Sequence, residues 1–255
     1  WAPTARSNAD FRFRRGLLTS PGMSPILIFA VLGLVMVAAV LIGRWQEAER
    51  RKAVAAWAAA HRLTFRAEPD YGMPGRHPGL SALQRGENRF AYNQCEGLWR
   101  GRPLRAFDYH YETHHRDSKG RRRTHHHRFS AVLVGSAVPL QALRIRSEGL
   151  LDRLGELVGL DDIDFESAEF SRRFHVQADN RRWAYDVLHP RAMEFLLGAP
   201  DFALEFDHAA VLAWRTSVQP PADLEQAADL AVGLLDLLPE YMVRQQRAGP
   251  DERMS

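Results

Sequence analysis

The chain has 255 residues, 45% of them hydrophobic and 25% charged, which is enough to bury one or two cores and excludes a disordered or fibrous protein. Its one cysteine, Cys95, excludes an intramolecular disulfide framework. The net charge of +3 hides a polarity: residues 44–147 hold 20 Lys and Arg against 9 Asp and Glu, and residues 148–255 hold 10 against 21. Two halves that neutralise each other inside one fold are the expectation, with attraction of the basic half to anionic lipid as the alternative. Only Lys52 and Lys119 among the basic residues are lysine. Such a skew accompanies GC-rich genomes, so arginine abundance by itself argues little for phosphate binding.

In chain order, the first element is PILIFAVLGLVMVAAVLIG, from Pro25 to Gly43, without a charge or a strongly polar side chain. At 1.5 Å per residue it spans roughly 28 Å, close to the ~30 Å of a bilayer's hydrocarbon core. Arg44 and Trp45 then supply a cation and an aromatic at headgroup depth. The stretch exceeds a signal-peptide core and no A-x-A site closes it, so an uncleaved transmembrane helix is predicted over 23–44. Arg6, Arg12, Arg14 and Arg15 before it balance Arg44, Arg50, Arg51 and Lys52 after it, a tie under the positive-inside rule. Taking Met23 as the native start breaks the tie. Residues 1–22 are then a disordered leader or non-native extension. A single-pass protein of the bacterial cell membrane is expected, with its soluble domain in the cytoplasm.

Residues 45–65 are rich in Ala and straight-chain residues and read as a helical stalk. A Pro- and Gly-rich loop follows, AEPDYGMPGRHPG, in which no regular helix is expected. The period then shifts to two. AYNQCEGLWRGRPLRAFDYHYET predicts two strands turning at 101–103, and HHRFSAVLVGSA and ALRIRSE two more, the four forming an antiparallel meander. Helical spacing marks LLDRLGELVGL, FSRRFHVQ reads as a strand, and NRRWAYDVLHPRAMEFLLG holds helices broken at His189-Pro190. FALEFD and AVLAWRT form a hairpin, and Asp223–Leu238 a helix with one buried stripe, ended by Pro239. The expected fold is α+β: a mainly antiparallel sheet with packed helices over residues 66–245, behind one anchor and before a disordered tail at 246–255.

The tip of the second hairpin, HHRDSKGRRRTHHH at 114–127, carries the densest chemistry. If His114 pairs with His125, then Glu112 faces His127, and Glu112, His114, His125 and His127 converge in a set suited to zinc. A metal-dependent hydrolase using His114, His125 and His127 is the enzymatic reading. Arg116, Lys119, Arg121, Arg122 and Arg123 in the same loop suit anionic lipid headgroups, each cation gaining on the order of 1 kcal/mol. A solvated hairpin tip needs neither. Nucleic acid is disfavoured because no aromatic platform stands among the cations. The acidic run DDIDFE at 161–166 begins like an EF-hand loop but has Ser167 where glycine belongs, and Ile163 and Phe165 alternate with its acids as a buried edge does. No G-x-S-x-G, GK[ST] loop, G-x-G-x-x-G or H-E-x-x-H occurs.

Together the blocks AAWAAAHRL, RPLRAFDYHY, DDIDFESAEFSRRFHV, YDVLHPRAMEFLL and LLDLLPEY resemble a group of uncharacterised bacterial membrane proteins common in GC-rich genomes and sharing a domain of unknown function. The resemblance spans most of Met23–Tyr241. It implies one anchor and a compact α+β domain, carries no activity or cofactor, and leaves the histidine-rich loop outside its pattern. The function expected is a membrane-anchored, non-catalytic domain that binds a protein partner or the membrane surface.

Overall fold

A computed structural model describes residues 25–118, 120–149 and 163–247. The predicted helix at 150–160, Lys119, Asp161 and Asp162 lie outside them. The chain divides into two units at Ala48/Glu49.

The first unit holds the apolar part of α1 (Pro25–Ala60), where Phe29, Leu34, Met36 and Leu41 are exposed. Phe29–Ala60 is long and apolar enough to cross a membrane. The helix does not stop at the charged residues, because the Ala-rich stalk sequence carries no breaker and continues it to Ala60.

The second unit is built on one antiparallel sheet of eight strands: β1 (Thr64–Arg66), β2 (Glu87–Trp99), β3 (Arg102–Arg116), β4 (Arg122–Gly135), β5 (Leu143–Ser147), β6 (Phe174–Ala178), β7 (Ala203–Phe206) and β8 (Ala210–Trp214). Their spatial order is β1-β2-β3-β4-β8-β7-β5-β6. The meander therefore ends at β4. β8 occupies the edge expected for β5, which pairs instead with β7 and β6. The reason is burial: every residue of β7 and β8 is buried, so that hairpin belongs in the middle of the sheet. The β2–β3 turn falls one residue earlier than predicted, on Arg100 and Gly101, whose φ of 47° and 80° make the two-residue turn that matches strand twist.

One face of the sheet, carrying Ala106, Val132, Val211, Leu204 and Ile145, packs under helices. These are the end of α1, α3 (Ala168–Arg173), α4 (Arg181–Val187), α5 (Pro190–Gly198) and α6 (Pro221–Asp236), while α7 (Glu240–Arg247) follows Pro239. In α6 the predicted stripe is buried, and Leu230 and Val232 widen it. Residues 170–173, predicted as strand, belong to α3 because Ser167 Oγ caps Phe170 N–H and the strand begins only at Phe174.

The other face, carrying Phe107, Tyr109, Phe129, Leu212 and Trp214, is covered by the Pro- and Gly-rich segment, which contains the four-residue helix α2 (Met73–Arg76) and a 3-10 turn at Ser81–Gln84. Met73, Leu80 and Leu83 are fully buried there. The segment is fastened by Glu205, itself fully buried, whose carboxylate accepts from Ser81 Oγ, Ala82 N–H and Arg146. Both faces of the sheet are therefore covered, which is why β7 and β8 are buried along their whole length. The halves of opposite charge meet inside this unit, through Arg100–Asp229 at 2.7 Å, Arg102–Asp236 at 2.6 Å and Arg146–Glu205 at 3.1 Å.

Candidate functional site

The last three turns of α1 lie along β2 and β3 in opposite sense to β3. Trp57 stacks on Trp99 with ring centroids 6.0 Å apart, and the Val54 carbonyl lies against Cys95 Sγ at 4.0 Å. Arg50 meets Asp108 with a two-pronged bond, Nε to Oδ2 at 2.8 Å and Nη2 to Oδ1 at 2.6 Å. Asp108, with a side chain 2% exposed, also accepts from Ser130 Oγ at 2.7 Å and Asn93 Nδ2 at 3.0 Å. Arg50 reaches the Gln219 carbonyl as well. Sequence counting assigns Arg50 to the membrane flank, but its charge is consumed inside the domain. Only a buried carboxylate on β3, invisible in local pattern, reveals this.

Beyond Asp108 the strand continues to Arg116, roughly 27 Å at the usual rise. The β3–β4 hairpin thus runs well past the Arg50–Asp108 bond. Its register sets the fate of the predicted metal site. A five-residue loop, 117–121, centres the hairpin on a residue, so Glu112 pairs with His126, Thr113 with His125 and His114 with Thr124. The expected pairing of 114 with 125 is off by one residue, which turns half the set to the other face. Glu112 and His114 lie on one face; His125 and His127 lie on the opposite one. The hydrolase built on His114, His125 and His127 loses its common site for the same reason.

On the far face His127 stacks on Tyr111, with centroids 4.6 Å apart at 10°, and its Nε2 is 2.8 Å from Thr113 Oγ1. Burial, then the charges of His125 and Arg85, holds its pKa below the ordinary histidine value. On the near face three other donors gather: His110 Nε2 is 3.3 Å from His126 Nδ1, which is 3.3 Å from Glu112 Oε1. His110 Nδ1 lies 3.2 Å from the Asn88 carbonyl, and the Asn88 amide donates to Glu112 Oε1 at 2.8 Å. That bond first, and then the nearby imidazoles of His126, His110 and His114, hold the Glu112 carboxyl below its ordinary pKa. Asn88 sits in a β-bulge of β2 with φ 49°, preceded by Gly86 at φ 60°, where a Cβ would come within 2.2 Å of the Glu112 carbonyl. The sequence pattern left His110 and His126 out of the ligand set, because register decides the partner.

At the tip, Arg121, Arg122 and Arg123 are each about two-thirds exposed. Asp117 accepts from Arg121 and lies 3.6 Å from Arg123, and Glu87 is 3.7 Å from Arg122. Cationic charge at the tip outnumbers these two acids. Elsewhere, an apolar groove of about 730 Å³ runs between α5 and α6, lined by Phe195, Leu230, Gly233 and Leu237 with Arg191 and Glu194 at its rim. Ile163 and Phe165 of the acidic run are buried while Asp164 and Glu166 point out, as the alternation predicted. Burial, and then Asp108, pushes the Cys95 thiol up to about 12, so it is no nucleophile.

No family model and no curated protein matches the chain. The fold has a solved counterpart. It is similar to the crystal structure of the mycobacterial trehalose monomycolate transport factor A, TtfA, with a TM-score of 0.54 over 74% of this chain and 96% of that one. The two are 15% identical, so the likeness to TtfA is one of fold alone.

Proposed function

We propose that this is a single-pass membrane protein whose domain, on the cytoplasmic side, performs no catalysis and reads the anionic lipid surface through the tip of its β3–β4 hairpin. The observation that carries the reading is the charge of the hairpin tip, which bears Arg116, Arg121, Arg122 and Arg123, the last three each about two-thirds exposed. Arginines within reach of headgroups gain on the order of 1 kcal/mol each, and Lys119, in the same loop, adds to the count. A fold shared with a protein described as a transport factor is in keeping with a membrane-associated, non-catalytic role.

The test uses the full chain in lipid nanodiscs, with an environment-sensitive fluorophore on Ser118→Cys; Cys95 is buried and stays unlabelled. Emission shifts to the blue in discs containing anionic lipid, reverts as salt is raised, and no longer responds in an Arg121→Glu/Arg122→Glu/Arg123→Glu variant. Equal emission in neutral and anionic discs would remove the lipid reading and leave the α5–α6 groove as the surface for a protein partner.

A further inference from the structure

The geometry points to a binding site for one divalent transition metal ion of the zinc class, held by His110 Nε2, His126 Nδ1 and a Glu112 oxygen on the near face of the β3–β4 hairpin. The three donor atoms lie within 4.8 Å of one another. Two of their separations, one between ring nitrogens and one from a ring nitrogen to the carboxylate, are 3.3 Å, which is long for a hydrogen bond. It is close to the edge of a coordination tetrahedron, since ligands at roughly 2.0–2.1 Å from zinc stand about 3.3–3.4 Å apart.

Proton bookkeeping favours a cation at the same point. The Asn88 carbonyl can only accept, so the neutral His110 ring carries its proton on Nδ1 and turns its Nε2 lone pair toward His126. Glu112 Oε1, which already accepts from the Asn88 amide, presents a second acceptor. Two acceptors therefore face His126 Nδ1, which has at most one proton to share between them. A divalent ion replaces that proton and engages all three atoms, while the exposed His126 keeps its other nitrogen protonated toward solvent.

Support for the ligands is already built. Asn88 orients two of them at once, His110 through its carbonyl and Glu112 through its amide, the outer-shell arrangement that fixes tautomer and rotamer in metal sites. It can do so because the β2 bulge turns it into the left-handed region, and bulges recur where a side chain must be re-aimed. Phe90, stacked 4.7 Å from the His110 ring, holds that imidazole from the side. Two histidines and one carboxylate leave the fourth tetrahedral position to water or another ligand. The donor set suits zinc, cobalt, nickel or copper better than calcium or magnesium.

The test uses the full, untagged chain in detergent, stripped with chelator and titrated with Zn²⁺ or Co²⁺. One equivalent binds, and Co²⁺ develops the intense visible bands of a tetrahedral ion. His126→Ala and Glu112→Gln weaken binding at least about tenfold, and Asn88→Gly, which keeps the carbonyl and tolerates the backbone angle, weakens it roughly 10–100-fold. His125→Ala, on the opposite face and equally exposed, binds as the wild type does. Absence of binding in the wild type, undiminished binding in His126→Ala, or equal loss in His125→Ala would each overturn the site; the last would mark the tip histidines as a loose chelator. Because His125 and His126 are both exposed, neither variant disturbs the core.

Discussion

Asp207 shows how a single side chain ties pH to stability here. It caps the turn between β7 and β8 by accepting from the N–H groups of Ala209 and Ala210 at 2.8 Å, and its other oxygen is 2.6 Å from His77 Nδ1 on the covering segment. Burial alone would raise its pKa, but the His77 hydrogen bond and the two backbone donors outweigh burial and hold the carboxyl below its usual value of 3.8. A depressed folded pKa contributes stability that is present above the unfolded value and is lost as pH falls through the folded one. The urea midpoint of the wild type therefore declines as pH drops below about 5, and Asp207→Asn flattens that decline. Parallel slopes in the two proteins would show that Asp207 is not a source of the acid sensitivity. In the sequence the Asp207-His208-Ala209 turn is legible, because it separates two apolar runs. His77 as its partner is not, because the two positions are 130 residues apart.

Between elements, the join of α1 to the sheet matters most. Apolar contacts at Val54, Trp57 and Ala58 position the helix, and the Arg50–Asp108 bond fixes the start of its docked stretch. Removing one partner leaves the other charge uncompensated, so Asp108→Ala lowers unfolding free energy by about 3 kcal/mol, and Arg50→Met/Asp108→Leu recovers much of that loss. Equal destabilisation by the single and double variants in urea melts would assign the effect to packing instead. The stalk helix was readable from its Ala-rich composition, whereas its docking face was not, since Arg50 belongs equally well to a membrane flank. Register is the other decision made at this scale. The loop at 117–121 has an odd number of residues, and that parity alone moves His126 beside Glu112 and carries His125 and His127 to the far face.

Across the whole molecule the basic and acidic halves are complementary parts of one domain, joined by Arg100–Asp229 and Arg102–Asp236 as well as by the buried Arg146–Glu205 pair. The first two are solvent-exposed pairs and hold the fold only weakly. Arg100→Ala and Arg102→Ala should each change stability by less than about 1 kcal/mol, with the change shrinking in high salt. A larger loss that survives high salt would give these pairs a structural role beyond charge. The sequence by itself determined the membrane-length helix, the α+β class, the hairpins and the stripe of α6, because hydrophobic period, turn residues and length act over a few neighbouring positions. Only the tertiary structure decided that β8 displaces β5 beside β4, that the Pro- and Gly-rich segment roofs the second sheet face, and which histidines share a side with Glu112. Those outcomes depend on pairing between distant residues and on one-residue register, and a two-residue repeat is blind to both.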